Sequence, residues 1–157
     1  MFFVFFLASN VYCRGIKGPR CGEGPLIIEE GTTEIEDLKY YKCTKFSGSL
    51  EIPDTVTKIG SYAFFFCSGL TGTLTLPESI TTIGSLSFSY CGFTGTLKIP
   101  NSVTTIESDA FSACNKFTGS LVIPDSVTSI GEGAFHYCYG FDGYLTISHS
   151  INYINAN

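Results

Sequence analysis

Five of the seven cysteines recur at near-constant spacing: Cys43, Cys67, Cys91, Cys114 and Cys138. A thiol can ligate a metal, attack an electrophile, pair with another thiol or fill space as a small apolar group. There is no C-x-x-C pair and no histidine at ligand spacing, so a zinc cluster is not indicated. Cysteines one coil apart in a parallel ladder would stand about 4.8 Å apart, inside the Cα range of a disulfide. Ladder side chains point the same way, however, rather than at each other. The five are therefore expected as a buried column of free thiols acting as small apolar residues. Cys13 and Cys21 precede this series. If the chain is secreted and Cys13 survives processing, these two could close a capping disulfide.

Other catalytic chemistry finds little footing. His136 and His149 are the only histidines. They fall where neighbouring stretches of the chain carry Ser, Phe, Asp or Asn, which reads as variation facing solvent. The stretches GEGP (Gly22 to Pro25) and GEGA (Gly131 to Ala134) lack the lysine and the strand–helix setting of a phosphate loop. No catalytic residue, cofactor or metal is expected. The acidic run Glu29 to Asp37 could attract a basic partner, and its plainer role is to solubilise the end of the molecule. The formal net charge of −5 argues against a nucleic-acid surface.

What must position these residues is a repeat. The phrase LEIPDTVTKIGSYAFFFC recurs as LTLPESITTIGSLSFSYC, LKIPNSVTTIESDAFSAC and LVIPDSVTSIGEGAFHYC. Units begin at Leu50, Leu74, Leu97, Leu121 and Leu145, offset by 24, 23, 24 and 24 residues. The short unit lacks one residue after Cys91. A weaker copy runs from Leu26 to Ser49, with Glu29 in place of Pro and Lys39 in place of Ala. The last copy keeps Leu145, Ile147, Ile151 and Ile154 but does not reach the AF…C segment. The repeats therefore occupy 26–157 as five complete units and a partial sixth.

Each recurrent position has a physical reading. Leu121 and Ile123, two apart, share one face of a short strand. Pro124 ends that strand because it has no N–H to donate. A second short strand is expected near Thr128 to Ile130, and Gly131 permits a bend. Ala134, Phe135 and Cys138 have the spacing of one helical or 3₁₀ turn at a corner. One such unit cannot bury enough apolar surface to hold itself together, whereas stacked units satisfy each other's strands and flat faces. The expected fold is a β-rich solenoid with two narrow parallel sheets and short 3₁₀ or helical corners. The columns Leu50–Leu74–Leu97–Leu121–Leu145 and Ile59–Ile83–Ile106–Ile130–Ile154 should run inside.

The phrase L-x-I-P-x-S-V-T-x-I-G-x-x-A-F-x-x-C resembles the BspA-type leucine-rich repeat of bacterial and protozoan surface proteins. The likeness is close from Leu50 to Cys138 and weaker on either side. Departures are Leu76 for Ile, Ser87 for Ala, Glu107 for Gly and Ser148 for Pro. The resemblance implies a leucine-rich-repeat solenoid, a secreted or cell-surface location and a non-enzymatic role in recognition or adhesion. Its partners would be protein or glycan on host or neighbouring cells. An intracellular interaction scaffold, or a fragment of a longer array, is the alternative.

Residues 1–25 read as a possible signal segment and N-terminal cap. The apolar run Phe2 to Ala8 is too short to cross a bilayer, which takes roughly 20 residues, and matches the apolar core of a secretory signal. No Lys or Arg precedes it, so a buried N-terminal strand is the competing reading. The candidate ligand-binding positions are the outward residues of the first strand: Glu51, Thr73, Thr75, Thr96, Lys98, Ser120, Val122, Tyr144 and Thr146. A second set lies at the corner: Phe65, Phe66, Tyr90, Tyr137 and Tyr139. These aromatics either anchor an interface or simply cover the corner by packing on neighbouring coils. The incomplete sixth unit should leave strand edges and apolar surface open, favouring self-association or fraying there.

Overall fold

The computed structural model describes residues 21–151. The Phe2 to Ala8 run, Cys13 and Ile154 lie outside the described residues. The described residues form a solenoid of stacked coils, and their nine short strands pair in parallel. They are β1 (Gly24–Ile27), β2 (Glu34–Ile35), β3 (Phe46–Glu51), β4 (Lys58–Ile59), β5 (Thr82–Ile83), β6 (Thr105–Ile106), β7 (Leu121–Val122), β8 (Ser129–Ile130) and β9 (Leu145–Thr146).

Strands β2, β4, β5, β6 and β8 form one continuous five-stranded sheet. Its register pairs Ile35 with Ile59, Ile59 with Ile83, Ile83 with Ile106 and Ile106 with Ile130. The second strand position is broken into β1–β3 and β7–β9. Between them only single bridges remain, Gly48 with Leu70, Gly95 with Phe117 and Lys98 with Val122. The gap covers the units that begin at Leu74 and Leu97, the first of which is the one a residue short. The second expected sheet is therefore fragmented.

The core is the set of columns the repeat dictates. Leu50, Leu74, Leu97 and Leu121 are buried, as are Ile59, Ile83, Ile106 and Ile130. Leu145 departs from its column: it is 62% exposed. It heads the last paired strand among the described residues, with β7 as its one strand neighbour there. Phenylalanines form a further column. Tyr40, Phe64, Phe88, Phe111 and Phe135 stack face to face at 5.3, 5.2, 5.4 and 5.5 Å between centroids.

The corners are turns, and no helix occurs among the described residues. The reason is where the backbone donors go. Tyr62, Phe64 and Phe66 donate their N–H groups to Ser85, Ser87 and Ser89 of the following coil at 2.7, 2.8 and 2.9 Å. The alternate residues Ala63, Phe65 and Cys67 bond within the corner, to Gly60, Tyr62 and Phe64. A helix would need every donor to point along its own axis. Sharing every second one with the next coil excludes that, and it extends the inter-coil ladder around the corner.

This arrangement demands left-handed backbone at two places per corner. Leu38, Tyr62, Leu86 and Asp109 take φ of 59, 57, 55 and 55° at the first. Lys42, Phe66, Tyr90, Ala113 and Tyr137 take φ of 56, 59, 59, 59 and 58° at the second. For residues with a Cβ this conformation costs roughly 1–2 kcal/mol each.

The first coil is closed by a disulfide between Cys21 and Cys43. This corrects two expectations. Cys21 takes Cys43 and not Cys13, and Cys43 is not a free member of the thiol column. Cys43 belongs to the first described coil, and its sulfur bonds Cys21, where Cys67 donates to the Tyr40 carbonyl.

Candidate functional site

The outward residues of the first strand position share one face of the solenoid. Glu51, Thr73, Thr75, Thr96, Lys98, Val122, Tyr144 and Thr146 are all exposed, and Ser120 is half-buried. Val122 stands beside Lys98 on one side and Thr146 on the other. Lys98 pairs with Glu78 at 3.0 Å, and the Ser120 hydroxyl accepts the Tyr144 N–H at 3.0 Å. The face is nearly neutral, with hydroxyls predominating and Ile27, Val122 and Tyr144 as its large apolar groups, 62%, 49% and 85% exposed.

The continuous sheet carries a second outward face that the sequence reading did not single out. Thr57, Thr81, Thr104 and Thr128 stand exposed just before its strands. Each hydroxyl donates to a carbonyl one coil back, Thr33, Thr57, Thr81 and Thr104 in turn, at 3.2 to 3.3 Å. The repeated T-T and T-S pairs were the available signal. They read as strand formers, and only the ladder shows their protons already committed.

The corner aromatics divide between the two roles open to them. Phe65 packs into the neighbouring coils, half-buried, against Tyr41 at 5.3 Å and Tyr90 at 5.8 Å. Phe66, Tyr90 and Tyr137 are 41%, 45% and 47% exposed, and Tyr139 is 77% exposed. Burying an aromatic ring fully is worth roughly 1.5–3 kcal/mol. A half-exposed ring at φ near 59° therefore gains about as much as its backbone strain costs. Phe66 and Tyr90 thus add little net stability, although they are among the largest side chains of their coils.

The remaining thiols are interior. Cys67, Cys91 and Cys114 are buried and Cys138 is half-buried. Each donates to a carbonyl of the preceding coil: Tyr40, Phe64, Phe88 and Phe111 at 3.0 to 3.1 Å. Burial pushes the Cys67 and Cys114 thiols up to about 12, Cys138 up to about 11, and Cys91 well above the usual range. A thiol that holds its proton this firmly is no nucleophile. Alkylation of the native protein near pH 8 should therefore be slow, with Cys138 labelled first, as mass spectrometry of timed samples would show. Unfolded thiols lose their protons near pH 8.5. The native state therefore binds more protons above that pH, so these thiols' contribution to stability falls as pH rises from about 8.5 towards 12.

His136 stacks on Tyr137 at 3.7 Å, and His149 lies 3.5 Å from Asp125. Among the described residues no group of three or more His, Cys, Asp or Glu side chains could hold a metal. The acidic run is partly neutralised where it stands. Glu34 pairs with Lys58 at 2.6 Å, Glu36 pairs with Lys39 at 2.9 Å, and Asp37 accepts the Ser61 N–H at 2.8 Å. The hydrogen bond that Lys58 donates to Glu34, then that carboxylate's charge, raises the Lys58 pKa. Among the described residues no helix is long and apolar enough to cross a membrane.

The chain has clear likenesses among solved structures. The leucine-rich repeat protein of T. pallidum superposes with a TM-score of 0.66 at 29% identity, over 76% of this chain and 57% of that one. A leucine-rich cell surface protein of Faecalibacterium prausnitzii gives 0.53 at 29% identity, over 84% of this chain and 38% of that one. The chain thus spans little more than half of the first and well under half of the second. No curated protein matches it closely enough to count as a relative. The pattern described as a BspA type leucine rich repeat region matches residues 26–157 in six copies. With its repeats, its stacked parallel strands and that match over most of its length, the chain belongs to the BspA-type leucine-rich repeat family.

Proposed function

We propose that the chain is a non-enzymatic recognition module, secreted or held at the cell surface, that binds macromolecules of host or neighbouring cells. The observation that carries this reading is the contrast between its inside and its outside. The inward position that opens each coil is Leu in all six copies, and the outward position beside it is Ile27, Glu51, Thr75, Lys98, Val122 and Thr146 in turn. A rigid frame with varied outward residues suits recognition. The surface location draws on the F. prausnitzii relative, which is described as a cell surface protein. It also draws on the Cys21–Cys43 disulfide, since structural disulfides persist in oxidising compartments. Buried thiols that hold their protons favour recognition over catalysis.

Labelling intact native cells with a membrane-impermeant amine reagent should tag the protein, and non-reducing peptide mapping should recover the Cys21–Cys43 link. A cytosolic protein with both cysteines reduced would sink the surface reading and favour the intracellular scaffold. The 157-residue chain should also associate through its last coil. Tyr144, Leu145 and Ile147 are 85%, 62% and 42% exposed there, beside an edge of β9 that has no strand partner among the described residues. Light scattering over a concentration series should show growth in mass. A strict monomer with strong amide protection from Leu145 to Ile151 would show that edge to be covered.

A further inference from the structure

We propose that the partly exposed ring cluster on the corner of the first three complete coils docks a protein segment presenting apolar side chains beside a carboxylate. The cluster is built by Tyr41, Tyr62, Phe65, Phe66 and Tyr90, with Lys42 at its edge. The proposal rests on the reading of the chain as a protein-binding module and assigns that binding to the corner rather than to the strand face.

Four observations carry it. The rings form one connected surface. Tyr41 lies 6.3 Å from Tyr62 and 5.3 Å from Phe65, and Tyr90 lies 5.8 Å from Phe65 and 5.6 Å from Phe66. The surface is local, since the next corner offers Asp109, Ser112 and Ala113 at the equivalent places. Phe66 and Tyr90 sit in left-handed backbone, 41% and 45% exposed, where Ala113 shows that a methyl group suffices for the fold. A large ring that is strained and half-exposed, at a position that Ala113 fills one coil on, suits an interface anchor.

The fourth observation defines the partner. Tyr41 and Phe65 meet face to face, 12° from parallel, and Tyr62 and Phe65 meet edge to face at 60°. A sugar ring stacks on an open aromatic face; the Tyr41 and Phe65 faces are engaged with each other, and Phe66 and Tyr90 meet tilted at 41° across 5.6 Å rather than presenting one flat platform. Ring edges carry the positive side of the aromatic quadrupole and suit a partner's aromatic faces and carbonyl oxygens. The only charges in the corner segments 38–42, 62–66 and 86–90 are Lys39 and Lys42. Lys39 pairs with Glu36, while the exposed Lys42 ammonium lies 5.0 Å from the Tyr41 ring centre. On a chain of net charge −5, this one cation at the edge of the cluster suits a carboxylate.

A random peptide library panned on the full chain tests the proposal. Selected peptides should combine aromatic or aliphatic residues with Asp or Glu. They should bind the double variant Phe66→Gly, Tyr90→Gly about ten-fold more weakly. The exposed charge reversal Lys42→Glu, which leaves the core untouched, should weaken them several-fold. The double variant should melt within about 4 °C of the wild type. A fall well beyond that would show the rings to be structural and overturn the proposal. So would a library that yields no discriminating peptide. Peptides lost on Thr75→Lys, Val122→Lys but kept by the double variant would move the site to the strand face and leave the recognition reading standing. Binding to a glycan array that vanishes in the double variant would likewise overturn the choice of a protein partner.

Discussion

Replacing Phe88 by Ala is expected to destabilise the chain by about 3–5 kcal/mol, a drop of roughly 10 °C or more in the melting temperature. Phe88 is fully buried. It stacks on Phe64 at 5.2 Å and on Phe111 at 5.4 Å, and meets the edge of Phe93 at 6.1 Å. Every coil in a solenoid contacts only its neighbours, so a void in the middle coil weakens two interfaces at once. Phe135 provides the control. It ends the same column, stacks on Phe111 at 5.5 Å and is only partly buried. Phe135→Ala should therefore cost distinctly less than Phe88→Ala in a urea titration. Equal effects from the two would show that the ring column does not couple the coils.

Removing the Cys21–Cys43 link should open the first coil while leaving the middle of the stack intact. The two cysteines are 22 residues apart, and closing a loop of that size is worth about 3 kcal/mol. Leu26 pairs with Leu50 on one side, and among the described residues β1 and β2 each have a single strand neighbour. Hydrogen exchange with and without reductant reads the effect directly. Amides from 26 to 49 should exchange much faster on reduction, and those around β6 and β8 should not change. Cys43→Ala should reproduce the reduced pattern, because both remove the same loop constraint. Unchanged protection in the first coil would mean that strand pairing alone holds it.

The repeat made most of this architecture legible from residue types alone. Leu and Ile two apart, then a Pro without a donor, then a second Ile, dictate short strands that turn around an apolar interior. Because the same order recurs, equivalent residues must stack, and the Leu and Ile columns follow from steric equivalence. Sequence periodicity describes what every coil shares, and it fails where coils differ in their neighbours. Cys43 occupies the same repeat position as Cys67, yet it pairs with Cys21 while Cys67 donates to a carbonyl one coil back. Leu145 is the same residue as Leu121, yet the last paired strand leaves it open. The corner spacing of Ala, Phe and Cys fits a helical turn equally well. Only the stack decided otherwise, by drawing alternate N–H groups to the next coil and so forcing left-handed backbone at Phe66 and Tyr90. That same long-range bonding turned rings that could have covered the corner into an exposed, strained surface. Burial at a corner depends on residues one coil away, about 24 positions distant in the chain, a distance local pattern does not reach.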